Sequence, residues 1–217
     1  MANVEVYDKD DNFLGTRELQ ICLQHGFGDG MRTSCRRTVQ AVSGLLYNLP
    51  ISGYLSMRMD AMPILNDSVG GVTVEVLQDL TSAGGRNVSL KKGETVTLTG
   101  DEAYVYLRSR DIHQFDSASL RLERQMQYMS AFFEQAGNAF GGDILKVMRM
   151  YDAIEDYVVS GIDFAGLAEE TMKYGFDPSR MYSISGETVL NGGFEEFHAD
   201  DTALYELVLK LFYEELD

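Results

Sequence analysis

The chain has 217 residues, 45% of them apolar, which is enough to fill the core of one large domain or two small ones. Eighteen Lys and Arg face 34 Asp and Glu, so a formal charge of -16 repels nucleic-acid phosphates over most of the surface and excludes a general nucleic-acid binder. No stretch reaches the roughly 18 uninterrupted apolar residues of a membrane span, and the first twenty lack the apolar centre of a signal peptide.

In chain order, VEVY at 4–7 predicts a strand and DKDDNFLG a solvated turn in which Asp8, Asp10 and Asp11 face water. A short helix is expected over 16–24, ended by Gly26, and a longer one over 33–47 that stops before Pro50. On the longer helix Cys35, Val39, Val42 and Leu46 form an apolar stripe, which predicts a buried thiol. A Cys22–Cys35 bridge is the other arrangement open to the two cysteines, and neither has zinc-ligand spacing. Residues 52–58 predict a strand. Asp60 then caps a helix with Pro63 in its first turn, Gly70 ends it, and Gly71 launches the strand Val72, Val74, Val76.

TVTL at 95–98 is a further strand, and TGDEAYVYL a short helix leading into Arg108. From Asp116 a long helix is expected to bury Leu122, Met126, Met129, Phe133 and Ala136. Helices over 144–157, 163–173 and 201–214 follow, with MYSIS at 181–185 read as a strand between the last two. Without repeats or a Pro/Gly-rich linker, residues 1–217 read as a single α/β domain. Its layers place helices on both sides of a central mixed sheet.

Charge is unevenly distributed. Residues 86–124 hold seven basic and six acidic side chains, or +1, whereas residues 150–217 hold three and sixteen, or -13. An anionic ligand is therefore best received in the arginine-rich stretch. On the long helix, Gln125 lies about 40° round from Arg121 and Arg124 about 60° the other way, while the expected apolar stripe centres near 100°. Arg121 and Gln125 thus border the buried face and Arg124 points further toward water. Arg108 and Arg110 emerge on one side if their segment is extended. Four such donors suit a diphosphate, whose oxygens accept bidentate forks; ion pairing with Asp111, Asp116 and Glu123 would satisfy the same arginines.

Other patterns carry less chemistry. HGFGDG at 25–30 lacks a P-loop lysine and reads as a helix-terminating turn. Ser183 and Ser185 are not in a GxSxG elbow, and with only His25, His113 and His198 available no Ser/His triad is supported.

DSVGGVTVEV (67–76), LKKGETVTLTGDEAYVYLRSRD (90–111) and SLRLERQMQYM (119–129) resemble, in order and spacing, successive motifs of the LytR-CpsA-Psr cell-envelope domain. The Gly26–Gly30 segment and FDPSRMYSISGETV (176–189) are similar to clostridial members, so the resemblance covers about residues 4–216. It implies a phosphotransferase that moves a glycopolymer, such as teichoic acid or capsule, from a polyprenyl diphosphate carrier to peptidoglycan. That reaction takes place outside the cell membrane, at the membrane surface through the lipid substrate, and with a divalent metal, magnesium, in the full-length parent. A non-catalytic polyprenyl-diphosphate or glycan binding module is the alternative.

The same resemblance implies that Arg108, Arg110, Arg121 and Gln125 bind the diphosphate, with Asp111 and Arg124 as supporting members. The apolar face of the long helix would enclose the isoprenoid. The family's membrane anchor, metal-binding aspartates and two further arginines lie upstream of the part matched here. The resemblance therefore implies an N-terminally truncated and inactive chain, with no metal ligand and no catalytic residue that can be named. It also implies a sheet edge free to form a homodimer.

Overall fold

The computed structural model describes residues 2–111, 113–166, 168, 173, 175 and 177–213. The chain divides into two compact units. The first contains Met1–Ser56, Val159–Ile162 and Met181–Asp217, and the second Met57–Val158 and Asp163–Arg180. The α/β class is the one observed, but the strands are hydrogen-bonded in pairs rather than as one central mixed sheet.

In the first unit, β1 (Ala2–Tyr7) and β2 (Phe13–Leu19) form an antiparallel hairpin. Its turn is held by Asp8, whose carboxylate accepts from the amides of Asp10 and Asn12, each at 2.9 Å. The helix expected over 16–24 is replaced by β2 and a 3₁₀ turn over Ile21–Gly26. The β-branched and aromatic residues facing β1 find ladder partners that an isolated helix would lack. Gln24 fixes this arrangement: its buried amide accepts from Glu5 N at 2.8 Å and donates to Glu5 O at 3.0 Å.

Helix α1 (Arg32–Leu45) follows. HGFGDG ends the 3₁₀ turn at Gly26, as expected, and also starts this helix. Asp29 Oδ1 accepts from the amides of Met31 at 2.8 Å and of Thr33 and Ser34 at 3.1 Å, which satisfies donors that a helix start leaves unpaired. Cys35 is buried as expected, and Cys22 and Cys35 are both free thiols, so no bridge joins them.

The second unit holds the larger core. After a 3₁₀ turn at Met59–Ala61, α2 (Met62–Ser68) carries Pro63 in its first turn, as the sequence predicts, whereas Asp60 turns instead to Arg86 Nη2 at 3.5 Å. Gly70 and Gly71 have φ of +83° and +88°, a conformation that costs a side-chain-bearing residue energy, and they reverse the chain into the next strand. With β3 as Leu55–Met57, this strand is β4 (Val72–Glu75), and it pairs antiparallel with β7 (Thr95–Leu98) in the register Val72 to Leu98. Between them lies a hairpin that sequence periodicity does not predict, β5 (Leu80–Ala83) and β6 (Arg86–Leu90), turned at Gly84 and Gly85.

Helix α3 (Gly100–Arg108) opens on a capping box in which Thr99 N donates to Glu102 Oε2 at 2.8 Å. Helix α4 (Ser117–Phe140) is the long one, and α5 (Ile144–Asp152) is capped by Asp143. Val72, Val74, Leu90, Leu98, Tyr104, Tyr106, Leu107 and Tyr128 join in one buried cluster that packs α3 and α4 against the strands.

One face of α4 departs from expectation. Arg124, Tyr128 and Ala136 are buried, whereas Leu122 and Met129 are 48% and 47% exposed. The centre of these buried residues therefore lies roughly 110° round from the apolar stripe expected at this helix, with Ala136 belonging to both.

The chain then forms β8 (Val158–Ser160) and, after an irregular 181–185 that is not the expected strand, the hairpin β9 (Gly186–Asn191) and β10 (Phe194–Ala199) of the first unit. Helix α6 (Asp201–Phe212) closes the described chain. Most of the helix expected over 163–173 lies outside the described residues. No helix among the described residues is long and apolar enough to cross a membrane.

Candidate functional site

The arginine-rich stretch folds around the C-terminal end of α3. Six of the nine residues of α3 are buried, and the helix stops at Arg108 because Ser109 takes an extended ψ of 135°. Arg108 is thus the last helical residue rather than part of an extended Arg108–Arg110 pair. Both arginines are exposed.

A helix end leaves carbonyls without partners, and here α4 supplies them. Arg124 Nε donates to Tyr106 O at 2.9 Å, Arg124 Nη2 to Ser109 O, and Gln125 Nε2 to Leu107 O at 3.2 Å. Arg124 Nη1 donates to Gln78 Oε1, just beyond β4. This is why the polar face of α4 is buried: each polar atom has a fixed acceptor, so the desolvation cost is met by hydrogen bonds. Helix periodicity places Arg124 toward water and Arg121 and Gln125 at the border of the core; the structure instead makes Arg124 the buried arginine, at 2% exposure, leaves Arg121 half-buried at that border, and exposes Gln125.

A cleft of about 460 Å³ opens beside this junction. Gln78, Asp79 and Ser82 line it from the β5 side, Lys92 from the β6–β7 turn, and Ser109, Arg110, Asp111, Gln114, Ser117 and Arg124 from the α3–α4 side. Arg110 Nε donates to Ser117 Oγ at 2.9 Å, which fixes the guanidinium against the start of α4. Asp111 Oδ1 accepts from His113 N at 2.9 Å, and Asp116 Oδ1 accepts from Ser119 Oγ at 2.6 Å. Neither Arg108 nor Arg121 forms an ion pair among the described residues.

Burial pushes the Arg124 guanidinium below its ordinary range; the nearby Tyr106 acts the other way and the Arg121 charge adds to the lowering. Burial likewise pushes the Tyr106 phenol up. An arginine remains charged throughout, so the junction carries a positive charge that no carboxylate among the described residues touches.

Of the residues singled out in the sequence, the structure places Arg110, Asp111 and Arg124 on the cleft and Gln125 on the carbonyl beside Arg108. Arg121 lies one turn before Gln125 on α4, close enough to Arg124 for its charge to be felt. Lys92, Gln78, Gln114 and Ser117 were not anticipated. Only Lys92 had a sequence signal, as one of the cations of the +1 stretch. The divalent metal implied by the resemblance finds no fit here, since no three His, Cys, Asp or Glu side chains cluster among the described residues. No step is assigned to it.

The model of the LytR_cpsA_psr family matches residues 24–208, most of the chain, and the chain belongs to that family. Its relatives include Polyisoprenyl-teichoic acid--peptidoglycan teichoic acid transferase TagV of Bacillus subtilis, 27% identical over 188 residues, which are 83% of this chain and 47% of the relative. The corresponding TagU of Halalkalibacterium halodurans is 28% identical over 152 residues, 70% of this chain and 47% of the relative. The chain thus spans about half the length of the curated relatives it matches. Among solved structures, B. subtilis TagV superposes with a TM-score of 0.72 at 24% identity, over 99% of this chain and 83% of that one. TagT bound to LI-WTA superposes with a TM-score of 0.63 at 20% identity, over 96% and 75%. At these identities the structural likeness concerns the fold.

Proposed function

We propose that the second unit binds the diphosphate of a polyprenyl-linked cell-wall glycopolymer, and that the protein is a phosphotransferase passing that polymer to peptidoglycan outside the membrane. The observation that carries this reading is the α3–α4 junction. Arg108 and Arg121 have no ion pair among the described residues, Arg110 is fixed on the cleft wall, and the Arg124 charge on the same cleft touches no carboxylate among the described residues. Membership of the family and the printed activities of the TagV and TagU relatives support the substrate class.

Arg108, Arg110, Arg121 and Gln125 bind the diphosphate oxygens through charge-assisted hydrogen bonds, which are shorter and stronger than neutral ones. The acceptor hydroxyl attacks the phosphorus that carries the glycan and gives up its proton to solvent, the bridging P–O bond breaks, and negative charge grows on the polyprenyl monophosphate that leaves. Preorganised guanidinium groups lower the barrier by stabilising that charge. The acceptor is a peptidoglycan sugar hydroxyl.

The test is titration of the purified chain with inorganic pyrophosphate and with farnesyl diphosphate, for the parent and for Arg110→Ala. Saturable binding of both ligands, weakened by the substitution, supports the reading. Binding that Arg110→Ala leaves unchanged places the ligand elsewhere. Binding by a protein that in its full length transfers no polymer identifies a binding module instead.

A further inference from the structure

Arg124 stands apart from the arginines proposed to meet the ligand. It is 2% exposed, yet its three partners are two backbone carbonyls and an amide oxygen. A buried guanidinium ordinarily sits against a carboxylate, because a charge taken out of water without one costs several kcal/mol. At this junction the negative end of α3 and three hydrogen bonds take that place.

What those bonds hold is specific. Tyr106 O and Ser109 O flank Arg108, and Ser109 precedes Arg110; the next residue of α4, Gln125, holds Leu107 O between them. Two adjacent residues of α4 thus clamp the backbone from which Arg108 and Arg110 emerge. The same α4 turn carries Arg121 and Gln125. A planar fork with donors in a fixed geometry can span acceptors on both sides of a helix end; a lysine ammonium on a flexible stem cannot.

We infer that Arg124 is a positioning residue of the diphosphate site. Its guanidinium locks the end of α3 to α4, so that Arg108 and Arg110 from one element and Arg121 and Gln125 from the other form a single rigid donor set. Its charge, unmatched by a carboxylate, also favours an anion in the adjoining cleft. This inference rests on the diphosphate reading of the site.

The experiment is a double-mutant cycle of Arg124→Lys and Arg110→Ala, read as the Kd for inorganic pyrophosphate at fixed ionic strength, with thermal unfolding of each variant in parallel. Arg124→Lys keeps the charge and removes the fork. We expect it to raise Kd about tenfold, the scale seen when the support of a ligand-contacting group is lost. In the Arg110→Ala background it should add much less, because there is one donor fewer left to position. Losses that simply add, or a Kd equal to the parent's, overturn the inference and leave Arg124 as structural support. If Arg110→Ala itself binds pyrophosphate as the parent does, the reading of the site falls first and the inference with it. Should Arg124→Lys not fold, Gln78→Ala removes one acceptor from the same guanidinium. A smaller loss, again muted in the Arg110→Ala background, supports the inference, and unchanged binding overturns it.

Discussion

Tyr128 Oη donates to Asn66 Oδ1 at 3.2 Å, joining the middle of α4 to the end of α2 inside the core. The same Asn66 oxygen accepts from Val72 N at 3.2 Å, and its Nδ2 donates to Leu98 O at 2.7 Å, so one fully buried amide links α2, β4, β7 and α4. Burial holds the Tyr128 phenol well above its usual range, which keeps it a neutral donor. Asn66→Ala would orphan several of these groups at once. Each buried group left unpaired costs about 1–3 kcal/mol, so a loss of roughly 2–4 kcal/mol is expected. Urea denaturation should show a lower midpoint; an unchanged midpoint would mean that water replaces the amide.

Gly71→Ala should be costly for two separable reasons. Gly71 has a φ of +88°, and an added Cβ would sit 2.8 Å from Thr97 Cγ2 and 2.9 Å from the backbone oxygen of Leu98, in the β4–β7 ladder. Gly93 has nearly the same φ, +85°, with open space around the added Cβ. Gly93→Ala therefore reports the backbone term alone, about 1–2 kcal/mol, and Gly71→Ala should lose at least 1 kcal/mol more through overpacking. Equal losses in thermal unfolding would remove the steric part of the argument.

Acid stability should depend on Asp29. Hydrogen bonds from the amide of Met31 first, then of Ser34, hold its carboxyl down at about 2, against an ordinary value of 3.8. A depressed folded-state value means that the stabilisation is present above the ordinary value and is lost as pH falls toward 2. In Asp29→Asn that part is absent, so stability should fall less steeply between about pH 4 and pH 2 than in the parent. Asp8, Asp79 and Asp177 shift in the same direction, so a residual slope is expected. Superimposable pH profiles would show that Asp29 is not held as described.

Arg108→Ala and Arg121→Ala should weaken pyrophosphate binding with little change in unfolding temperature. Neither side chain has an ion pair among the described residues, and a hydrogen bond to a charged group contributes about 1.5–3 kcal/mol, tenfold or more in Kd. The contribution should shrink at high salt, since screening acts within about 10 Å at 0.1 M. Calorimetric titrations at two salt concentrations check this, and a marked fall in unfolding temperature would instead assign the arginines a structural role.

Much of the local structure was legible in the residues themselves. TGDEAYVYL reads as the helix that becomes α3, Pro63 sits in the first turn of α2, and Gly70–Gly71 mark a reversal that glycine adopts at low cost. The motifs around Gly71, Arg108–Arg110 and Arg121–Gln125 carry family membership, since their order is a property of the chain and needs no coordinates. The hairpins β5–β6 and β9–β10 were not legible, because a two-stranded ladder is chosen by its partner strand and short polar segments such as Arg86–Leu90 show no clear alternation.

The sequence by itself determined which residue types gather between Arg86 and Arg124, and that they are cationic against an acidic background. Only the tertiary structure decided how α4 is rolled. A periodicity argument weighs apolar side chains alone and so turned Leu122 and Met129 inward. In the folded protein Arg124 and Tyr128 face the core, because the open carbonyls at the end of α3 and the amide of Asn66 are already there to receive them. A polar side chain can be buried when its partners are fixed before it arrives, and those partners lie 18 and 62 residues away in the chain, beyond the reach of any local pattern.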